Sequence, residues 1–279
     1  MTLQTSEYRR IDRARDVRIF NSKVQMMGTT LNVYAYIVDG MLIDSGPHRM
    51  RKGIEYFCAQ NRLDKIVHTH FHEDHTGNTG YLMRKLRIPG YIHANSIDIC
   101  QEKGIIPVYR LVFWGNRRGF TAEALPSIIE NDHSTFKVIH TPGHTQDHVV
   151  FLDKEEGRLF SGDLFVHPKT RVTRRSENIP LLMESLRKLL QESFATVYCA
   201  HAGKISDGYN LVKQKLAHLE DLQEQVLTRF NKGLSIKTIV QEIFPQTPTI
   251  AYYSFGEFSS YNLVRSLIED KVSDNLNHF

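Results

Sequence analysis

From Thr29 to Val38 the chain is rich in β-branched and aromatic residues, Asp39-Gly40 is a turn signal, and Met41-Leu42-Ile43 is a second apolar run. This pattern predicts a β-hairpin ending at Asp44. Met50 to Asn61 carries its apolar residues at helical spacing, and Lys65-Ile66-Val67 reads as a short buried strand. Gly80 to Leu86 reads as helix and Gly90 to His93 as strand. Strand, helix, strand, helix, strand predicts a layered α/β fold. Ser96 to Phe120 is less regular, broken by Gly104, Pro107, Gly115 and Gly119, and it carries Tyr109, Phe113, Trp114 and Phe120. Such an insertion either walls or lids a pocket or packs its rings on the core.

Strands resume at Phe136 to His140, Val149 to Leu152 and Leu159-Phe160. Ile179 to Gln191 is an amphipathic helix and Thr196-Val197-Tyr198 another strand. From Tyr209 to Phe230 a long helix is expected, with Leu216, Leu219, Leu222 and Val226 at helical spacing. Ser235 to Phe244 and Asn262 to Val272 read as two more helices, separated by Pro245 and Pro248. Strand alternation stops before the last part. The expected division is a catalytic domain over residues 1–215 and a helical C-terminal extension over 216–279, which would cap the core or form a homodimer interface.

Composition narrows the class without naming it. In 279 residues, 41% are hydrophobic and 24% charged, which excludes collagen-like and disordered chains. No apolar run reaches the ~18 residues a spanning helix needs. Met1 to Arg18 mixes charges of both signs and shows no secretory signal, and three widely spaced cysteines suggest no disulfide framework. A cytoplasmic location and no membrane partner are therefore expected. The net charge of +4 permits an anionic small-molecule substrate and does not demand nucleic acid. Lys169, Arg171, Arg174 and Arg175 form the nearest basic cluster, read first as a solvated loop and second as a clamp for an anionic group. The unusual count is histidine, at 14.

The informative segment is Thr69-His70-Phe71-His72-Glu73-Asp74-His75-Thr76-Gly77. In an extended chain, positions i and i+2 face one side, so His70 and His72 can reach one ion. Asp74 and His75 follow where the chain turns into a helix, and can serve a second ion. Borderline nitrogen with hard oxygen suits zinc, iron or manganese. Three more apolar strands end in potential ligands: His144 after a Pro-Gly turn, Asp163 after Ser-Gly, and His201 after Cys-Ala. Each alone is weak. Together and in this order they form a specific set.

Over roughly Thr29 to Gly208 this set resembles the metallo-β-lactamase superfamily, in members similar to glyoxalase II and to acyl-homoserine lactonases. The resemblance implies an αββα sandwich of two mixed sheets flanked by helices, with the site on loops at one edge. It implies that His70, His72 and His144 hold one divalent ion, that Asp74, His75 and His201 hold another, and that Asp163 bridges them. It implies two divalent ions, zinc first, with iron or manganese as alternatives. Asp44 resembles a carboxylate that orients the ligands from behind. His68, His140 and His148 are expected to pack or support rather than ligate, and Cys199 to pack in the core rather than act as a nucleophile.

The chemistry implied is hydrolysis by a bridging hydroxide, with Asp74 orienting the nucleophile and taking a proton. The favoured substrate is a small ester, thioester or lactone. The alternatives are a phosphodiesterase or RNA nuclease on the same metal site, a non-catalytic ligand sensor, and an iron-dependent dioxygenase. The stretch between Asp163 and His201 is too short for the large inserted domain of the RNA-processing branch.

Overall fold

The computed structural model describes residues 16–26 and 29–276. It divides into two compact units: Met1–Thr141 with Gln146–Val166 and Ser193–Tyr209, and Pro142–Thr145 with His167–Glu192 and Asn210–Phe279. The boundary expected after residue 215 falls inside a helix, Gly208–Asn231.

The first unit is built on two six-stranded mixed sheets. The first sheet runs in the order β1 (Arg18–Met26), β2 (Thr29–Val38), β3 (Met41–Ile43), β4 (Lys65–Val67), β5 (Gly90–Ile92), β6 (Glu123–Ala124). The β1, β2 and β3 strands are antiparallel neighbours, and β3 through β6 pair in parallel. The short parallel strands are joined through α1 (Arg51–Ala59), α2 (Glu73–Thr76) and α3 (Thr79–Leu86), then α4 (Ile97–Gln101) and α5 (Val108–Trp114). The α1 helix buries Ile54, Phe57 and Cys58, spaced i, i+3 and i+4 on one face.

The second sheet contains β7 (Ile128–Glu130), β8 (Thr135–His140), β9 (Val149–Asp153) and β10 (Arg158–Gly162) as antiparallel neighbours. After β11 (Thr173–Arg174), which belongs to the other unit, β12 (Thr196–Cys199) joins β10 in parallel and β13 (Gly203–Ile205) closes the edge. Every residue of β9 and β10 is buried, as expected for strands covered on both faces. One core cluster joins Tyr36, Met41, Ile43 and Val67 of the first sheet to Phe136, Phe151, Phe160 and Tyr198 of the second. The sheets therefore pack face to face. With the helices flanking them, this is the expected αββα architecture.

Several elements differ from the sequence expectation. The β1 strand pairs with β2 along its whole length, from Arg18 opposite Ile37 to Met26 opposite Thr29, although its polar, lysine-bearing pattern gave no strand signal. Residues 96–120 hold two short helices rather than an irregular insertion. Phe113, Trp114 and Phe120 are buried, while Ile105, Val108 and Leu111 are exposed.

The second unit contains α6 (Ile179–Leu189), most of α7 (Gly208–Asn231), α8 (Ile236–Ile243), α9 (Thr249–Tyr253) and α10 (Ser260–Leu276), with β11 paired to β14 (Phe258–Ser259). Asn178 caps α6 by accepting the Leu181 N–H, and Pro180 sits in its first turn. Ser266 on α10 accepts the Ile179 N–H at 2.9 Å. Of the basic cluster, Arg174 is buried with its guanidinium 5.0 Å from the Phe258 ring, whereas Lys169, Arg171 and Arg175 are exposed.

Candidate metal centre

Strand ends of the first unit converge on one cluster. The Thr69–Gly77 segment leaves β4 and is held at both ends of its first turn. Val149 N–H donates to Thr69 O at 2.8 Å, and Thr76 Oγ1 donates to Phe71 O at 3.0 Å. His70 and His72 are buried, with His70 Nε2 2.8 Å from His72 Nδ1. Asp74 and His75 follow on α2 and are buried too.

Asp163 follows β10, where Gly162 turns the chain at φ +50°. Its backbone N–H donates to His148 Nε2 at 3.1 Å, and His148 Nδ1 lies 2.9 Å from Thr141 Oγ1. His201 follows β12, and its Nδ1 donates to Asn32 O at 2.8 Å. That bond leaves Nε2 facing Asp163 Oδ1 at 3.2 Å and Asp74 Oδ2 at 3.4 Å. His75 is oriented the same way. Its Nδ1 donates to Asp44 Oδ2 at 2.8 Å, and its Nε2 faces Asp163 Oδ1 at 3.4 Å.

Donor atoms of Asp74, His75 and His201 lie within 4.8 Å of one another, as do those of His70, His75 and Asp163. His144 lies in the Pro142–Thr145 turn of the second unit, where its Nδ1 is 3.4 Å from Glu177 Oε1. Asp44 lies on the far side of the His75 ring from Asp163. It sits just after β3 at φ +58°, a left-handed conformation unusual outside glycine, and accepts from Thr69 N at 3.0 Å.

The residues suit divalent ions. Asp74 Oδ1 and His75 Nε2 are buried and make no hydrogen bond, which is costly unless something else satisfies them. The set mixes imidazole nitrogen with carboxylate oxygen and has no thiolate, the donor chemistry of zinc, iron and manganese sites. Electrostatics agree. Burial pushes the Asp163 carboxyl up, but the His201 and His75 charges outweigh it and hold it well below the usual carboxylate range. Burial opposes charge on His201 and His75, yet Asp163 leads the pull on His201 and Asp44 the pull on His75, and both imidazoles are raised well above their ordinary value. A cation bound here would take the place of those protons.

Three contributors have partners that the sequence does not reveal. His148, expected to pack or support, accepts the Asp163 backbone N–H. Glu73, on α2 beside Asp74, is buried and paired bidentately with Arg110 on α5, Nε to Oε1 at 2.6 Å and Nη2 to Oε2. Trp114, also on α5, has its ring centre 6.4 Å from that of His201. The Glu-Asp-His run hinted at Glu73, but Arg110 lies 37 positions away and nothing local links them. Cys199 is buried, accepts the His201 and Ala202 backbone N–H groups at its Sγ, and has its thiol pushed up by burial, so it is no nucleophile.

The fold and this cluster define a scaffold with His and Asp groups able to bind metal ions, and the family follows. Residues 28–201 match the family model described as the metallo-beta-lactamase superfamily, well over half of the chain, so the protein belongs to that superfamily and is a metal-dependent hydrolase. A Drosophila melanogaster protein named Beta-lactamase-like protein 2 homolog is 28% identical over 243 residues, covering 81% of this chain and 78% of that one. An Aspergillus fumigatus protein named atrochrysone carboxyl ACP thioesterase is 28% identical over 213 residues, covering 74% of this chain and 60% of its own. The chain spans roughly half the length of the further thioesterases it matches, 52% and 55% in two of them. Among solved structures, a metallo-beta-lactamase family protein from Thermus thermophilus shares the fold with a TM-score of 0.67 at 19% identity, over 91% of this chain and 94% of that one. A protein solved in a di-iron-bound form is 26% identical with a TM-score of 0.53, over 64% of this chain and 92% of that one. Among the described residues no helix is long and apolar enough to cross a membrane.

Proposed function

We propose that the protein hydrolyses a small acyl thioester, ester or lactone, with the thioester favoured. The observation that carries this reading is the buried cluster of Asp74, His75 and His201 beside His70 and Asp163, whose donor atoms converge within coordinating range. The thioesterase names of several relatives support the choice among acyl substrates. His70, His72 and His144 would hold one ion, and Asp74, His75 and His201 the other, with Asp163 shared. Divalent ions held there would supply a water activated at neutral pH and a Lewis acid for the acyl carbonyl.

The chain's own residues do the rest. Asp163 is positioned through its backbone by His148 and Thr141. Asp44 and Asn32 O each take a ring N–H, which leaves His75 and His201 with Nε2 toward the centre. Asp74 would orient the attacking water and take its proton. Trp114 presents an aromatic wall beside His201. Zinc is the proposed metal, with iron the next choice because of the di-iron relative. Three buried free cysteines suit a reducing compartment, and the cytoplasm is the proposed location.

The test is metal analysis coupled to a panel of acyl thioesters, aryl esters, lactones and labelled RNA. Turnover of acyl substrates that is lost in Asp163→Ala supports the proposal. Cleavage of RNA by a protein inert toward every acyl substrate overturns it.

A further inference from the structure

Asp44 has more partners than the orientation of one ligand requires. Its Oδ2 accepts from His75 Nδ1 at 2.8 Å and from the Thr69 hydroxyl at 2.9 Å, and its Oδ1 accepts from Thr69 N at 3.0 Å. A carboxylate offers about four lone-pair positions, and three are taken. The fourth neighbour is His68, whose Nδ1 lies 3.6 Å from Oδ1. His68 is completely buried, and its Nδ1 makes no hydrogen bond. At 3.6 Å the contact is electrostatic, one small ring movement short of a hydrogen bond.

The other side of the His68 ring is held by two hydroxyls. Nε2 lies 2.9 Å from Thr79 Oγ1, which lies 2.9 Å from Ser45 Oγ. Ser45 N–H already donates to the His75 carbonyl at 2.7 Å. The Ser45 hydroxyl also points at that carbonyl, at 3.0 Å, so the hydroxyls by themselves do not assign the His68 proton. The carboxylate assigns it: a bare Nδ1 lone pair would face Asp44 Oδ1 at 3.6 Å in the core, so the ring N–H belongs on Nδ1, Thr79 gives its proton to Nε2, and the Ser45 hydroxyl is shared between Thr79 Oγ1 and the His75 carbonyl. The chain of bonds starts and ends on His75, at its carbonyl through Ser45 and at its ring through Asp44.

We infer that His68 is a positioning residue for the metal centre: its Nδ1–H faces the open fourth acceptor position of Asp44 and links that carboxylate through Thr79 and Ser45 to the His75 backbone. Held on both sides, Asp44 keeps the His75 ring with Nε2 bare and aimed at Asp163. The inference rests on the metal-centre reading above. His68 acts through Asp44 and touches neither ion nor substrate.

Three variants test it: His68→Asn, His68→Gln and His68→Leu. An asparagine amide N–H reaches the place of Nδ1, whereas a glutamine amide reaches that of Nε2. Zinc affinity of the metal-free chain is measured by competition with a chromophoric chelator, the Co(II)-loaded visible spectrum reports ligand geometry, and the metal-free melting temperature reports folding. The expected result is a loss of about 10–100-fold in affinity for one of two ions in H68Q and H68L, the size typical for removal of a supporting partner, with a changed Co(II) spectrum and near wild-type behaviour in H68N. Wild-type affinity in H68Q, or equal losses in H68N and H68Q, overturns the positioning role. The asparagine–glutamine comparison holds even if H68L fails to fold. A wild-type chain that takes up no divalent ion overturns the metal reading itself, and is distinguished from the first outcome by being seen before any substitution.

Discussion

Replacing Arg110 with Met isolates the buried ion pair beside the candidate centre. Arg110 is 8% exposed and Glu73 4%, and the two are joined by a bidentate contact between α5 and α2. Methionine keeps the length of the side chain and removes the charge. Glu73 would then be left as a buried carboxylate beside Asp74, whose charge already pushes it up. Burial leads in raising the Glu73 carboxyl above its ordinary value, with Arg110 the main opposing influence. Breaking a buried pair by removing one partner costs ~3–5 kcal/mol, whereas replacing both partners with apolar groups is often near neutral. Arg110→Met should therefore lose ~3–5 kcal/mol, and Glu73→Leu with Arg110→Met should recover most of it. At about 2–4 °C per kcal/mol for a domain of this size, the single variant melts about 6–20 °C lower. Because α2 also carries Asp74 and His75, the single variant should bind metal more weakly as well. Urea denaturation of wild type, both single variants and the double variant, with and without metal, makes a complete cycle. A loss under about 1 kcal/mol in Arg110→Met, the value of a surface pair, would refute the reasoning, as would a double variant no more stable than the single one.

Further outcomes follow from the same geometry. Chelation of the metal-loaded protein should abolish hydrolysis and lower its melting temperature, and re-addition of zinc should restore both; ions held at about 100-fold above their Kd are worth ~2.7 kcal/mol each, read by calorimetry. Gly162→Ala places a Cβ 2.7 Å from Thr69 Cβ and 2.8 Å from His148 Nε2 at φ +50°. It should cost at least ~1–2 kcal/mol from the left-handed backbone alone and displace Asp163, seen as lost metal stoichiometry. Burial pushes the Cys58 and Cys100 thiols up to about 12. Their folded values lie above the unfolded one of about 8.5, so their contribution is present below that pH and is lost as pH rises toward the folded value. By about pH 10 each should have cost ~2 kcal/mol of stability, and Cys58→Ala should flatten that decline in a pH series of unfolding curves.

Much of this protein is written locally. The hairpin into Asp44, the strands that end at Asp163 and His201, and the His70–His75 run are short-range patterns. Period-two and helical spacing, turn residues and clustered imidazoles announce themselves within about ten positions. Those features determined the class of fold and the candidate ligands. What the tertiary structure decided is what depends on partners far apart in the chain. The β1 strand is a strand because β2 offers it a ladder, not because of its own polar pattern. Arg110 is buried because Glu73 waits 37 positions earlier. His148 becomes a support for Asp163, and His68 a neighbour of Asp44, through folding that brings separate loops to one sheet edge. Hydrogen bonds and ion pairs have a reach of a few ångströms and no sequence period, so they appear when the chain has closed on itself and not before.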